Sequence, residues 1–274
     1  MARQSLIVIR SKKTALRLFY IAVVLFISNL AGIYLQKVLG YSDRFTNRFF
    51  YLFDAADENN IPAVFTTLIL FVSSVLLFLI YRMRDRQVQQ IKKYWLLLSL
   101  IFLFLSTDEL VSIHEQFNGI AKLLPGDIPG YSRFAWVLLY GFLVLLGRIV
   151  FTRFLFKVPV KSRKLFILSG CTYVIAAVIF EFPEGYMAEV YGVDYKYFLL
   201  CSLEEFLEMA GIILFIYALL DYISSLKPSM QAMQMGKQSD IVKTKFVFIN
   251  QSDLSPAATK EGETWKSPAD TSLQ

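Results

Sequence analysis

The chain of 274 residues is poor in what a soluble domain is built from. Only 18% of its residues are charged, against roughly 25% in an ordinary soluble domain. So few charges cannot cover the surface of a soluble enzyme of this length. Two Cys exclude a disulfide-dense scaffold. The single His, His114, excludes a three-His zinc centre within one subunit and an iron pair built on two Glu-x-x-His motifs. What the chain has is apolar: 56% of residues are hydrophobic, with 25 Phe and 15 Tyr, and the mean hydropathy is +0.51. That richness in aromatics excludes disorder. The class that remains is all-α, a polytopic membrane bundle.

Crossing a bilayer takes about 20 apolar residues in a helix. Six runs qualify: Ala15 to Leu35, Ile61 to Tyr81, Tyr94 to about Glu115, Phe134 to Phe156, Leu165 to Phe182, and Tyr197 to Tyr222. The first is long and has no small-x-small cleavage site, so it reads as an anchor rather than a signal peptide.

The formal charge is +6 and the pI about 9.1. In a soluble protein that would suggest nucleic acid. Here the cations lie between apolar runs and report topology, so no nucleic-acid partner is expected. One side receives sixteen Lys and Arg, among them Arg10, Arg17, Arg82, Lys93, Arg148 and Lys164. The other receives six: Lys37, Arg44, Arg48, Lys122, Arg133 and Lys196. The positive-inside rule then puts both termini in the cytoplasm of a multi-pass inner (plasma) membrane protein.

The connections on the outer side are acidic and aromatic, with Phe49, Phe50, Tyr51, Phe53, Asp54, Asp57 and Glu58 in the first. Asn60 before Pro62 reads as a helix start, with a side-chain cap and proline in the first turn. Gly119, Pro125, Gly126, Pro129 and Gly130 make the stretch from Phe117 to Arg133 irregular. The spans occupy residues 1–226. Residues 227–274 read as a disordered cytoplasmic tail, with Phe246-Val247-Phe248-Ile249 its only apolar point. Cys171 and Cys201 differ in depth by roughly 10 Å along their helices, too far for a disulfide.

Carboxylates inside the spans are the functional clue, because each costs roughly 2.5–3.5 kcal/mol on insertion scales. Helix three carries Asp108, Glu109, Ser112, His114 and Glu115. Helix six carries Glu204, Glu205 and Glu208, and helix five ends in Glu181 and Glu184. Asp108 is fifteen residues past Lys93, about 22 Å up a helix, in the outer part of a core roughly 30 Å thick. Glu204 and Glu205 lie about 12–14 Å in from the outer face and Glu208 about 18 Å. All fall in the outer half, as one outward-facing pocket. Asp108, Ser112 and Glu115 share a stripe, as do Glu204 and Glu208. Gly211 continues the second stripe and allows close helix approach. His114 sits about 120° round the helix from Asp108 and reads first as an interfacial His. For Glu115, Glu181 and Glu184, near the interface, hydration explains the charge as well as a pocket role does. Ser106-x-Asp108-Glu109 echoes Ser202-x-Glu204-Glu205, but an inverted repeat would place the two at opposite depths.

Five or more carboxylates in a dry pocket cannot all be charged and alone. Either some hold protons or a cation lies among them. A metal is the stronger reading, and oxygen ligands suit Mg²⁺, Mn²⁺, Ca²⁺ or iron. Asp108, Glu204, Glu205 and Glu208 are the expected metal ligands. Glu109 or His114 is the expected general base or acid, and Ser112, Glu115 and Glu181 form the rim.

These motifs resemble those of an uncharacterised group of bacterial six-helix membrane proteins over roughly residues 45 to 225. The shared features are Phe53-Asp54 with Glu58-x-Asn60-Ile61-Pro62, Asp108-Glu109-x-x-Ser112-x-His114-Glu115, and Glu204-Glu205-x-x-Glu208-Met209-x-Gly211. The resemblance implies a shared fold and site and no activity. Alkaline-ceramidase-like hydrolases need three His beside their Ser and Asp, and the chain lacks them. Glutamic intramembrane proteases follow Glu-Glu with Arg, where this chain has Met209. The expectation is therefore a divalent-metal-dependent enzyme acting on a membrane lipid or amphiphile. The alternatives are a proton- or cation-coupled transporter and a structural cation site in a non-catalytic component. Self-association into a homo-oligomer stays open.

Overall fold

A bilayer core offers no partner to a bare peptide group, so apolar runs of this length close their backbone hydrogen bonds internally, as helices. A computed structural model of the chain describes residues 7–57, 59–83, 89–114, 116–117, 135–226 and 246–249. Six helical stretches among them are long and apolar enough to cross a membrane: Ser11–Val38, Ile61–Met83, Ile91–Val111, Trp136–Lys157, Val160–Val190 and Tyr195–Ser225. Each overlaps one of the six predicted runs.

In order the elements are β1 (Ile7–Arg10), α1 (Ser11–Ile33), α2 (Arg44–Phe53), α3 (Ile61–Met83), α4 (Gln89–Val111), α5 (Ala135–Lys157), α6 (Val160–Val174), α7 (Glu181–Val190), α8 (Tyr195–Ser225) and β2 (Phe246–Ile249). A π-helical segment, Tyr34–Val38, extends α1, and a second, Ile175–Phe180, joins α6 to α7. β1 and β2 pair in parallel, Ile7 opposite Phe246. The apolar point of the tail is thus a short strand, and the rest of 227–274 lies outside the described residues.

α8 is the axis of the bundle. From Met209 to Leu220 it is apolar on every side, which suits a stretch buried all round. Ile216, Leu219 and Ile223 are fully buried in one core with Leu77 and Ile80 of α3, Trp95 of α4 and Phe166 of α6. Trp95 stacks on Tyr222 at 5.0 Å and meets Phe154 edge-on at 4.9 Å.

Apolar packing alone gives little preference for helix over lipid, so polar and small residues fix the contacts. Ser74 Oγ donates to the Ser99 carbonyl at 2.7 Å, and Ser99 Oγ returns to the Ser74 carbonyl at 2.9 Å. Ser106 Oγ repeats this contact one end further along, to the Thr67 carbonyl at 3.0 Å. Buried Asn29 ties α1 to two neighbours, donating to the Phe53 carbonyl at 2.6 Å and accepting from Ser202 Oγ. Ser74→Ala and Ser99→Ala should each lower stability by about 0.6–1.7 kcal/mol, the range measured for such bonds in membranes. The double variant should lose less than the sum, because the two hydroxyls also touch each other, Oγ to Oγ at 3.3 Å, and each single variant already removes that contact. Thermal unfolding in detergent reads both.

The structure departs from the predicted boundaries at three points. The first acidic connection contains a helix, α2, started by Asp43, whose carboxylate accepts Thr46 N at 3.1 Å. α4 stops at Val111 rather than near Glu115 because Ser112 takes a left-handed φ of 54°. The fifth span runs on through Pro183 to Val190 rather than ending at Phe182. Proline has no N–H and would press its ring on the carbonyl four residues back, that of Ile179. Ile179 lies in the wide π-helical turn, whose bonds reach five residues back and relieve that conflict. As predicted, Asn60 caps α3: its Oδ1 accepts Ala63 N at 2.8 Å, and its amide holds the carbonyls of Asp54 and Asp57.

Gly211 also fits the predicted close approach. A Cβ there would lie 2.9 Å from Tyr173 N and 3.2 Å from Ser169 O, both backbone atoms of α6. α6 and α8 therefore touch backbone to backbone, just beyond the carboxylates of α8.

Candidate functional site

Four elements bring side chains to one end of the bundle: the end of α4, the start of α5, α7 and the first third of α8. Antiparallel succession puts those four segments at the same depth. Here a chamber of about 1550 Å³ opens between α4, α5, α6 and α8. α5 is pinned at both ends and stands off in the middle. Trp136 and Val137 pack against Val178 at one end, and Phe154 enters the main core at the other. Between them a Cβ on Gly147 would meet nothing within 4 Å. The chamber runs behind this helix. Its body is apolar, walled by residues such as Leu98, Phe102, Leu143, Val144, Ile212 and Phe215. One end is acidic, and Arg148 and Arg163 line the other.

At the acidic end the carboxylates fall into two groups. The first centres on Asp108, which is buried. Its Oδ1 accepts the backbone N–H of His114 at 2.8 Å, and its Oδ2 accepts the hydroxyl of Tyr140 at 2.9 Å. His114 Nδ1 lies 3.4 Å from the same Oδ1. The imidazole rests against Trp136, centroids 4.7 Å apart, and Trp136 meets Tyr140 edge-to-face at 5.2 Å. Helical geometry would have turned His114 away from Asp108. The early end of α4 turns it back: the left-handed Ser112 folds the chain over, and the Asp108 carboxylate takes up the His114 N–H that has left the helical ladder. The two residues, predicted as metal ligand and as base, thus form a single hydrogen-bonded unit.

The second group lies on α7 and α8. Glu184, Glu204 and Glu208 are 6%, 8% and 8% exposed. Glu184 Oε2 accepts the Cys201 thiol at 3.1 Å. The Glu184 and Glu204 side chains meet carboxyl to carboxyl, and no donor among the described residues reaches Glu184 Oε1. Glu208 is one turn along α8 from Glu204, near Glu109, Glu181 and His114. Glu109, Glu181 and Glu205 all line the chamber. Ser112 shapes the turn and lies outside the lining, and Glu115 falls outside the described residues. Among the described residues no three of His, Cys, Asp and Glu converge on a point that could hold a metal ion.

Two site residues escaped the sequence. Tyr140 is one apolar-looking aromatic among many in its run, and nothing in its spacing marks it. Glu184 looked interfacial because the span seemed to end before Pro183. Its turn three residues after Glu181, on a helix that continues, is the signal that would have found it. Cys201, which spacing sets too far from Cys171 for a disulfide, is the donor on Glu184. Both cysteines are free, Cys171 exposed and Cys201 buried. In the connection before α3, burial raises the pKa of Asp54 against the opposing hydrogen bond from Ala56 N at 3.1 Å.

No curated protein and no solved structure matches the chain. One family does, over a stretch that takes in the four middle spans whole and most of the first and last. It is described as a domain of unknown function, DUF8692, and matches residues 17–223; the chain belongs to that family.

Proposed function

We propose that the protein is a multi-pass bacterial inner-membrane enzyme, both termini cytoplasmic, acting on an amphiphile held in the chamber. The Lys and Arg asymmetry supports the orientation, which turns the acidic end of the chamber outward. The observation that carries the reading is the chamber's polarity. It has an apolar body and one acidic end, the shape a hydrocarbon tail and a polar head would fill. Its volume of about 1550 Å³ exceeds the roughly 300–1,000 Å³ of a pocket for a drug-sized ligand. The open flank along α5 lets such a molecule enter from the bilayer.

The Asp108–His114 pair supplies the chemistry. Nδ1 faces the Asp108 carboxylate at 3.4 Å, so Nε2 is the nitrogen that takes the proton of an attacking water. Tyr140, on the other Asp108 oxygen, holds the carboxylate in place. Glu109, beside the chamber, returns a proton to the leaving head group. A transport relay fits less well. Past Glu208 the wall of α8 continues as Gly211, Ile212 and Phe215, and the next carboxylate on that helix, Asp221, lies outside the chamber lining and is paired with Lys161 at 2.9 Å, which leaves a wide gap for a proton to cross.

The test is direct. Solvent extraction of the detergent-purified protein should release a bound amphiphile identifiable by mass spectrometry. In phospholipid vesicles the wild type should hydrolyse the head group, and His114→Ala should lose at least about 100-fold of that rate, the lower range for a general base. A wild type that carries no amphiphile and turns over no phospholipid would sink the reading.

A further inference from the structure

One buried oxygen without a donor among the described residues, Glu184 Oε1, sits where two carboxyl groups meet. Glu184 and Glu204 come from different helices, each more than nine-tenths buried, and meet carboxyl to carboxyl. A carboxylate only accepts hydrogen bonds, so two of them face to face require something positive between them. Glu184 Oε2 has the Cys201 thiol, and Glu184 Oε1 has no donor among the described residues. Buried polar oxygens in native proteins are nearly always satisfied, and one that is not calls for a missing water or ion. Both residues line the chamber, whose volume is ample for an ion and its water.

We propose that Glu184 and Glu204 hold a hard divalent cation, Mg²⁺ or Mn²⁺, at the outer end of the chamber. This pair shares only Glu204 with the four ligands expected from sequence, Asp108, Glu204, Glu205 and Glu208. Asp108 belongs to the other group, where His114 and Tyr140 hold its two oxygens. Two carboxylates are enough: Mg²⁺ keeps several waters and is commonly bound through one or two carboxylates, with phosphate oxygens of a substrate completing the shell. Cys201, donating to Glu184 Oε2 at 3.1 Å, is the outer partner that orients the ligand. Glu208, one turn deeper on the same face of α8, is placed to accept from the ion's water. The site stands whether or not the chamber holds an amphiphile. Where it does, the ion selects a phosphate-bearing head.

The experiment is Mn²⁺ binding to the full-length protein in detergent, followed by electron paramagnetic resonance, with thermal unfolding alongside. Wild type should bind one Mn²⁺ per chain and melt at a higher temperature with the ion, since binding only the folded state stabilises it. Glu184→Gln and Glu204→Gln, which keep the side-chain shape, should weaken binding by at least about 10-fold, the smallest effect usual for altering a metal shell, and lose the thermal shift. Asp108→Asn should bind as wild type does. Absence of Mn²⁺ binding and of a thermal shift in the wild type overturns the proposal, leaving a shared proton between the two carboxyls. So does binding unchanged in both glutamine variants, or lost equally in Asp108→Asn. Lipid extraction of the same preparations reports the amphiphile reading separately, so the failure of one is distinguishable from the failure of the other.

Discussion

Gly211→Val should destabilise the protein by about 3 kcal/mol, the upper part of the range for overpacking a close contact. The cause is local. The added Cβ would sit 2.9 Å from Tyr173 N and 3.2 Å from Ser169 O. Backbone of a neighbouring helix cannot rotate aside as a side chain can, so α6 must move bodily away from α8. That movement also opens the wall beside Glu208, one turn before Gly211. Gly211→Ala should show a smaller drop of the same sign. Gly170→Ala, on α6 with nothing within 4 Å of its added Cβ, should be neutral or slightly stabilising, as alanine favours helix over glycine by about 1 kcal/mol. Thermal unfolding of the three variants in one detergent decides the matter. A Gly211→Val protein that melts with the wild type would mean that the two backbones do not touch.

Asp108→Ala should remove both stability and site geometry. Two donors, His114 N and the Tyr140 hydroxyl, would lose their acceptor at a buried position. An orphaned buried polar group costs about 1–3 kcal/mol, so the loss of two acceptors should cost roughly 2–6 kcal/mol. Part of it would be a looser end of α4, because the carboxylate is what holds the chain after Ser112 in place. Asp108→Asn keeps the shape and one acceptor oxygen, and should fall between wild type and alanine. Hydrogen exchange would separate the effects. In Asp108→Ala, faster exchange should concentrate at the end of α4 and at His114, while the core around Leu219 and Ile223 stays protected. Uniform acceleration through the molecule would contradict the assignment of Asp108 as a local clasp.

The six spans were legible in the sequence because apolar runs of bilayer length have one outcome, a helix that satisfies its own backbone. The acidic residues were legible as a group for a related reason: charge within such a run stands out against its cost. Gly211 was legible because it continued the stripe of Glu204 and Glu208. What stayed hidden depended on departures from ideal helical phase. His114 comes to Asp108 only because α4 ends at Val111 and Ser112 reverses the chain. Glu184 comes to Glu204 only because α7 continues past Pro183. Spacing rules applied to a straight α-helix place both residues on the wrong side or at the wrong depth. Tyr140 was hidden differently: a tyrosine hydroxyl in a run rich in aromatics carries no local signal until a partner is placed beside it.

The π-helical segment Ile175–Phe180 has one further consequence. A wide turn is in effect an α-helix with a residue too many, and each residue turns the helix by about 100°. The segment therefore works as a phase shifter in the fifth span. Everything before it, including Ser169 and Tyr173 at the contact with Gly211, is set by packing against α8. Everything after it, Glu181 and Glu184 included, is rotated by that one surplus residue. The angular position of a carboxylate that faces another helix is thus encoded by the length of the chain between Val174 and Glu181, rather than by the identity of any residue in it. Sequence drift among the apolar side chains there leaves the setting untouched, whereas a change of one residue in length dials Glu184 out of the chamber.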